Sequence, residues 1–262
     1  MTDSLHHADL LVELGCEELP PKALDTIRQA FYDSVCDGLD KNHIAFDAGN
    51  SRSFSTPRRI AVLLSGAAAV QPDQELERRG PSLKAAFDGE GKPTGAALGF
   101  ARSVGREVAE LDTLKTEKGE WLYCRVKQTG KPLADLLYYI LRQTTRQLPV
   151  PKPMRWADHD FSFVRPVHWL VVMHGERVVP GSLFGLDADR LTRGHRIHAP
   201  GPHAIDSAAD YAAVLEKAYV LADQDRRRDD QQIEHDRRDD DRHLALFENA
   251  HYVAEVDAFG FG

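Results

Sequence analysis

The first forty residues constrain the fold most strongly, because their pattern predicts a short strand followed by a long amphipathic helix. Residues 10–14 form an apolar run of strand length, which Gly15 ends. Pro21 suits the first position of a helix, where a backbone N–H has no helical partner. The apolar side chains that follow at helical spacing are Leu24, Ile27, Phe31, Val35 and Leu39, with Gly38 as a stop signal. A helix with one apolar face beside a strand predicts that the helix packs on a sheet.

Two pairs of strand-length segments predict hairpins. Residues 51–55 and 59–64 flank Thr56-Pro57, and the second segment is rich in Ile, Val and Leu. Residues 111–114 and 121–126 flank a Glu-Lys-Gly turn in the same way. Because a short turn joins antiparallel neighbours, the sheets are expected to be mainly antiparallel.

The remaining segments add loops, a helix and a meander. Residues 70–95 are polar and contain several prolines, which predicts long loops or short helices. Residues 133–148 follow Pro132 and carry an apolar stripe at helical spacing, which predicts a packed helix. Three further strand-length segments, at residues 167–173, 178–184 and 190–197, predict a short antiparallel meander.

Together these segments predict an α+β fold of mainly antiparallel sheets with packed helices, in two subdomains. Prolines at positions 149, 151 and 153 fix an extended connector. The connector divides a first subdomain, residues 1–148, from a second, residues 149–222. Residues 223–262 begin with a stretch dominated by Asp, Arg and Gln, in which Ile233 is the only apolar side chain up to Arg242. Such a stretch buries little, so we expect a charged tail or the truncated start of a further domain.

Charge and hydropathy exclude some classes of protein. The net charge of −8 argues against a protein whose whole surface binds nucleic acid, so any RNA contact has to be local. No apolar run reaches the ~18 residues of a membrane span, and the first nine residues lack the basic end and apolar stretch of a signal peptide. We therefore expect a cytoplasmic protein without membrane contact. Cys16, Cys36 and Cys124 are widely spaced without a CxxC pair, which indicates reduced, mostly buried thiols.

The sequence has no motif of a self-contained catalytic centre. It has neither of the common glycine-rich phosphate loops nor a GxSxG elbow. Asp158-His159-Asp160 is interpreted as a loop. His195 and His198 are three residues apart, but no further ligand follows at a familiar zinc spacing. We expect no catalytic residue and no metal site in this chain.

The strongest functional signal is a set of four clusters that combine arginine with proline, aromatic residues or histidine. They lie at residues 56–59, at residues 78–81, at residues 153–156 together with 163–169, and at residues 192–196. Guanidinium groups form paired hydrogen bonds with phosphate or carboxylate, and they stack on aromatic rings or bases. The alternative is internal salt bridges and cation–π contacts that stiffen strand edges. The candidate contact residues are Arg58, Arg59, Arg78, Arg79, Arg155, Trp156, Arg165, His168, Arg193, His195 and Arg196.

A longer signature connects these clusters. The string Leu11-Val12-Glu13-Leu14-Gly15-Cys16-Glu17-Glu18-Leu19-Pro20-Pro21 resembles the opening signature of the β subunit of bacterial two-subunit glycyl-tRNA synthetase. The four clusters and Gly119-Glu120-Trp121 resemble further signatures of that family in the same order. The resemblance covers residues 10–221, the N-terminal portion of a β subunit. Cys16 departs from the family, which more often has a hydroxyl residue there.

The resemblance implies a division of labour in an aminoacyl-tRNA synthetase, a ligase of protein biosynthesis. In the α2β2 tetramer, the α subunit holds the ATP-binding and magnesium site, and the β subunit binds tRNA(Gly) and the α subunit. Family β subunits are much longer than this chain, and their anticodon-binding region lies downstream. The resemblance therefore implies no cofactor in this chain and no DNA partner.

Three hypotheses remain open from the sequence. The first is a non-catalytic β subunit whose arginine clusters contact tRNA or the α subunit. The second is an assembly module without direct tRNA contact, in which Glu17, Glu18 and the Arg155-Trp156 region form the interface. The two glutamates also suit the start of the following helix, where the helix dipole favours carboxylates. The third is an editing-like hydrolase that uses His195 or His159.

Overall fold

The computed structural model describes residues 7–117, 119–156, 161–224 and 226–227. Within them the chain forms two compact units. Unit 1 comprises the described residues of Met1–Ala69 and Ala134–Gly262, and unit 2 is Val70–Leu133. The subdomain boundary expected between residues 148 and 149 lies inside unit 1. The expected tail at residues 223–262 lies almost wholly outside the described residues.

The secondary structure alternates strands with short and long helices. In chain order the strands are β1 (His7–Cys16), β2 (Asp47–Thr56), β3 (Arg59–Ala68), β4 (Gln74–Ser82), β5 (Asp112–Thr116), β6 (Gly119–Gln128), β7 (Val167–His174), β8 (Arg177–Val178), β9 (Ser182–Leu183), β10 (Leu186–Asp187), β11 (Leu191–Arg193) and β12 (Pro202–Ala204). The α-helices are α1 (Pro21–Lys41), α2 (Leu83–Ala86), α3 (Gly95–Ser103), α4 (Leu133–Gln147) and α5 (Tyr211–Lys217). Short 3-10 helices lie at Val108–Glu110 and Ala208–Asp210.

Unit 1 is built on a five-stranded antiparallel sheet in the order β2-β3-β1-β7-β8. The predicted first strand is confirmed, and it lies at the centre. Leu11 lies opposite Leu63 on β3 and Met173 on β7, so the sheet joins segments that are more than 150 residues apart. Both faces of β1 are buried, which explains its nearly continuous apolar run. The hairpin predicted around Thr56-Pro57 is β2 and β3.

Helix α1 begins at Pro21 as predicted and packs against β2 and β3 with its apolar face. The predicted stop at Gly38 is wrong, because the helix continues to Lys41. A Cβ atom at Gly38 would lie 2.4 Å from Cγ2 of Ile140 on α4. The glycine therefore permits close approach of two helices and does not end one.

The opposite face of the sheet packs against α5. Phe54 and Tyr211 meet edge to face with ring centroids 5.3 Å apart, and Trp169 and Leu215 belong to the same apolar cluster. Alternation along β1 places Glu13 on this face between Leu11 and Gly15, in the same row as Ala61 of β3. A buried carboxylate in such a layer needs polar partners.

The predicted meander after β7 is shorter and more broken than expected. Of the second segment, residues 178–184, only Val178 pairs with β7, as part of β8 (Arg177–Val178), because Pro180 and Gly181 (φ 152°) turn the chain away. In the predicted segment 190–197 only Leu191–Arg193 forms a strand, paired with β12. Gly194 follows the strand directly, and a Cβ atom there would lie 2.6 Å from the Ala199 carbonyl oxygen.

Unit 2 is a three-stranded antiparallel sheet in the order β4-β6-β5. Leu122 of β6 forms a small apolar core with Ala86 of α2 and Ala97 of α3. The predicted hairpin of β5 and β6 is confirmed. The loop prediction for residues 70–95 is wrong over β4, whose charged side chains suit an edge strand and whose proline lies at an irregularity between Arg79 and Ser82.

The two units together confirm the predicted α+β class with mainly antiparallel sheets. Among the described residues, no helix combines the length and apolar character that a membrane span requires.

Candidate functional site

Residues from several distant segments gather beyond the end of β1 in unit 1. Glu17 and Glu18 follow β1, Arg58 lies in the turn between β2 and β3, and His168 belongs to β7. Arg193 ends β11, and Arg196 follows it after two residues. We call this set, Glu17, Glu18, Arg58, His168, Arg193 and Arg196, the arginine surface. It borders two adjoining cavities of about 380 Å³ and about 420 Å³, which share Arg58, Arg193 and Arg196.

A buried polar network lies beneath the arginine surface and centres on Glu13. Its Oε1 accepts hydrogen bonds from Arg59 Nη1 at 3.0 Å, Thr192 Oγ1 at 2.9 Å and Trp169 Nε1 at 3.1 Å. Arg59 Nη1 also donates to Thr192 Oγ1 at 3.0 Å. Burial raises the pKa of Glu13, while the positive charge of Arg59 and the hydrogen bonds from Thr192 and Trp169 oppose that rise.

The network determines where the surface arginines lie. Arg59 is only 3% exposed, and its Nη2 donates a hydrogen bond to the main-chain oxygen of Arg193. The Cζ atoms of Arg58 and Arg59 lie 6.0 Å and 5.5 Å from the centroid of the Trp169 ring. Arg59, which the sequence made a candidate contact residue, therefore lies inside the protein as a support.

The arginine surface has more positive than negative groups. Glu17 Oε1 lies 2.9 Å from His168 Nε2, and Glu18 Oε1 lies 3.5 Å from Arg196 Nη2. Among the described residues, no carboxylate lies within 4.0 Å of Arg58 or Arg193. Arg58 Nε is buried and has no hydrogen-bond partner among those residues. Two guanidinium groups are therefore left to bind an anion.

Main-chain hydrogen bonds hold this region together. Cys16 N donates to the Arg58 oxygen at 2.9 Å, and Glu17 N donates to the Pro166 oxygen at 3.0 Å. Arg165, another sequence candidate, lies at the border, where its Nε donates to the Glu18 main-chain oxygen at 3.2 Å. These bonds join the end of β1 and the segment before α1 to the β2–β3 turn and to the residue that precedes β7.

The four remaining candidate residues are not among the residues that line the two cavities. Arg78 and Arg79 belong to unit 2, where Arg79 Cζ stacks 4.5 Å from the Trp121 ring centroid. Arg155 and Trp156 belong to unit 1 but line neither cavity of the arginine surface. The Trp156 ring instead packs against two phenylalanine rings, with its centroid 5.2 Å from that of Phe161 and 6.0 Å from that of Phe184.

His195 borders the larger cavity of the arginine surface as part of a turn. Its Nδ1 accepts hydrogen bonds from the main-chain N–H groups of Ile197 and His198, both at 3.2 Å. The ring centroids of His195 and His198 are 4.6 Å apart. Within the described residues, no group of three or more His, Cys, Asp or Glu is placed to hold a metal ion. His159 lies outside the described residues.

Sequence reasoning missed three residues that build this site. Glu13 was part of an apolar run, and a charge within a buried strand is the signal that could have identified it. Thr192 gives no such signal. Tyr219 lines the larger cavity with 66% of its surface exposed, and its φ of 59° is unusual for a residue with a side chain.

Comparison with known proteins gives one consistent result. Residues 10–259 match the family model described as glycyl-tRNA synthetase beta subunit. The chain is 49% identical over 220 residues to the glycine--tRNA ligase beta subunit of Chromohalobacter salexigens. It is 47% identical over 219 residues to the protein of that name from Xanthomonas campestris, and 45% identical over 222 residues to that from Coxiella burnetii.

These matches cover unequal shares of the proteins compared. Each covers 84% of this chain, but only 31% or 32% of the relative. The chain thus spans about a third of the length of the curated relatives that it matches. Their matched portion is the N-terminal part.

Proposed function

The chain belongs to the glycyl-tRNA synthetase beta subunit family, and from that premise we propose that it supports the attachment of glycine to tRNA(Gly) by binding tRNA through the arginine surface. In this proposal it works in the cytoplasm as part of an α2β2 complex. The α subunit supplies the catalytic centre with ATP and magnesium, and the described part of this chain supplies binding groups.

The observation that carries the proposal is the pair Arg58 and Arg193. Both line the two cavities, and neither has a carboxylate within 4.0 Å among the described residues. Arginines without counter-charges beside a concave surface are typical of phosphate contacts. Because the chain as a whole carries a charge of −8, such a local positive site would direct RNA to one face.

Salt-dependent binding tests this proposal. The full-length chain, in complex with the α subunit, is titrated with tRNA(Gly) over a range of salt concentrations. Replacing Arg193 and Arg196 with Ala should weaken binding and flatten the plot of log K against log salt by about 0.9 for each phosphate that these arginines neutralise. Replacing Arg177 and Lys41 with Ala removes the same charge elsewhere on unit 1 and serves as the matched control. An unchanged slope in the arginine variant, with its fold intact, would reject the proposal.

A second function is favoured by a different observation, namely the exposed apolar rim of the larger cavity. Ile197 is 79% exposed and Tyr219 is 66% exposed, and both line that cavity beside Arg196. Exposed apolar and aromatic side chains next to arginine are typical of protein interfaces. In this alternative, the surface binds the α subunit and the chain acts as an assembly module without direct tRNA contact.

One pair of measurements separates these functions. Ile197→Ser with Tyr219→Ser should reduce affinity for the α subunit, and leave tRNA binding by the isolated full-length β chain unchanged, if the rim is an interface. Loss of tRNA binding by that isolated chain would favour RNA contact instead. For the editing-like hydrolase, His195 offers no support, because it uses Nδ1 to accept two main-chain hydrogen bonds and contacts no catalytic partner within the described residues. The other candidate, His159, lies outside those residues.

A further inference from the structure

The smaller cavity of the arginine surface has the size of a site for one small group. Its volume is about 380 Å³, at the lower end of the ~300–1,000 Å³ range of small-molecule sites. A single nucleotide fits such a space, whereas a double helix can only lie across its opening. The charged and titratable side chains among its described lining residues are Arg58, Arg193, Arg196, Glu17 and His168.

Two guanidinium groups of this cavity lack a counter-charge. Each carboxylate of the arginine surface already lies beside a histidine or arginine partner. Arg58 and Arg193 have no carboxylate within 4.0 Å among the described residues. The two positive charges that remain favour a ligand that brings about two negative charges to one point.

Both of these arginines are anchored from the interior. Arg58 Cζ lies 6.0 Å from the centroid of the Trp169 ring, and the main-chain oxygen of Arg193 accepts a hydrogen bond from the buried Arg59. Arg58 Nε is buried and has no acceptor among the described residues. A buried donor without an acceptor is costly, so a ligand oxygen that reaches this atom removes that cost. The cavity is thus organised for an anion before the anion binds.

RNA offers two kinds of phosphate, which differ in charge and in shape. An internal phosphodiester carries one negative charge, and the chain continues on both sides of it. A phosphate at the 5′ end is a monoester, which carries about 1.5–2 negative charges at pH 7 and has three oxygens that accept hydrogen bonds. The chain continues on one side of it only, so it can enter a closed space. Two guanidinium groups can each donate a pair of hydrogen bonds to its oxygens.

We propose that the smaller cavity binds the 5′-terminal phosphate of tRNA, with Arg58 and Arg193 as the residues that hold it. This inference rests on the proposed function and names the part of the RNA that the arginine surface recognises. The two guanidinium groups without counter-charges match the charge of a monoester, and the volume matches one terminal nucleotide. Gly201, with a φ of 103°, lines the cavity without a side chain and lets a ribose approach the main chain.

A comparison of two RNAs tests the proposal. The full-length chain, in complex with the α subunit, is titrated with tRNA(Gly) that carries a 5′-monophosphate and with the same tRNA that carries a 5′-hydroxyl. Removal of the phosphate should weaken binding about tenfold or more, because hydrogen bonds between charged groups are lost. Arg58→Ala with Arg193→Ala should bind the two RNAs equally. Arg177→Ala with Lys41→Ala is the matched control and should keep the full difference between them.

The ratio of the two affinities is measured within one protein, so a loss of stability in the variant does not imitate the expected result. If the natural chain binds both RNAs equally and the arginine variant binds both more weakly, the arginine surface contacts internal phosphates. That outcome overturns only the present inference. A tenfold ratio that persists in a weakened arginine variant would also overturn it, because the phosphate then binds elsewhere. If the arginine variant binds each RNA as tightly as the natural chain does, the proposed function fails as well.

Free nucleotides carry the same phosphomonoester, and a competition experiment separates the two sources. The isolated full-length chain, without the ATP site of the α subunit, is loaded with 5′-phosphorylated tRNA(Gly) and titrated with AMP. The tRNA should stay bound at about 0.1 mM AMP, because a free nucleotide lacks the rest of the RNA contacts. Displacement at that concentration would assign the cavity to a free nucleotide and overturn its assignment to the end of an RNA.

Discussion

Gly15 lies directly beneath the indole ring of Trp169 on the neighbouring strand. A Cβ atom at residue 15 would lie 1.8 Å from Cε2 of that ring, closer than any real contact. The two residues are paired in the register of β1 and β7. Because the Trp169 indole donates to Glu13 and lies beneath Arg58 and Arg59, this glycine controls how closely the buried network and the arginine surface can pack.

Gly15→Ala should therefore destabilise unit 1 by about 1–3 kcal/mol, as expected for overpacking in a core. The added methyl group has to push the indole away from Glu13, which also weakens the hydrogen bond from Trp169 Nε1. Urea unfolding followed by tryptophan fluorescence measures the change. Gly49→Ala is the matched control in the same sheet, since its Cβ would lie 3.4 Å from the nearest side-chain atom. Equal midpoints for the two variants would contradict the packing argument.

Glu13→Ala should have a larger effect on the free energy of unfolding. It leaves the Arg59 guanidinium buried without its carboxylate, and breaking one side of a buried ion pair costs about 3–5 kcal/mol. Urea unfolding measures this loss. Glu216→Ala is the control. Glu216 forms an exposed ion pair with Arg226 on unit 1, and removal of an exposed partner changes stability little. If both variants unfold at the same urea concentration, Glu13 does not hold the network together.

Much of the fold follows from local sequence signals. Pro21 and the apolar residues spaced along α1 determine that helix, and the Thr56-Pro57 turn determines the hairpin of β2 and β3. Strand β4 was missed, because its charged side chains and proline are typical of a loop and only pairing with β6 makes it a strand. The pairing of β1 with β7 could not be predicted from the sequence either, because no local pattern specifies contacts between such distant segments.

The candidate site was predictable in its residue types but not in its arrangement. Arginine clusters identified Arg58, Arg193 and Arg196, which the structure brings together. The sequence could not distinguish Arg58 from its neighbour Arg59, because alternation along the chain and the partner Glu13 bury only the second. It also gave no sign that Arg79 stacks on Trp121 in a separate unit.

The arginines of unit 2 provide a further prediction. Arg79→Ala removes the guanidinium that covers the Trp121 ring, at a Cζ distance of 4.5 Å. If that stack is internal to unit 2, the variant should lose stability by about 0.5–1 kcal/mol and bind tRNA with unchanged salt dependence. Thermal unfolding and tRNA titration at several salt concentrations measure the two effects. Arg78→Ala, on the neighbouring residue of the same strand, is the control for removal of a charge while the stack stays in place. A flatter salt slope for Arg79→Ala would instead assign this arginine to RNA.

The thiol of Cys16 predicts a dependence of stability on pH. Burial raises its pKa from 9.0 to about 12, and the charge of Arg58 only partly opposes the rise. In the unfolded chain the thiol ionises near its ordinary pKa, whereas in the folded chain it keeps its proton. The stabilising contribution is therefore complete below pH 9 and is lost as the pH rises towards 12. By about pH 10 the loss should reach about 1.4 kcal/mol.

Comparison with Cys16→Ala isolates this contribution from the other groups that titrate in the same range. The variant lacks the thiol, so its free energy of unfolding should fall less than that of the natural chain between about pH 8 and about pH 10. Any packing defect left by the smaller side chain is the same at both pH values and cancels in the difference. Urea unfolding at the two pH values gives all four free energies. Parallel decreases in both proteins would mean that the Cys16 thiol ionises as readily in the folded chain as in the unfolded one, and that the turn beside Arg58 is open to water.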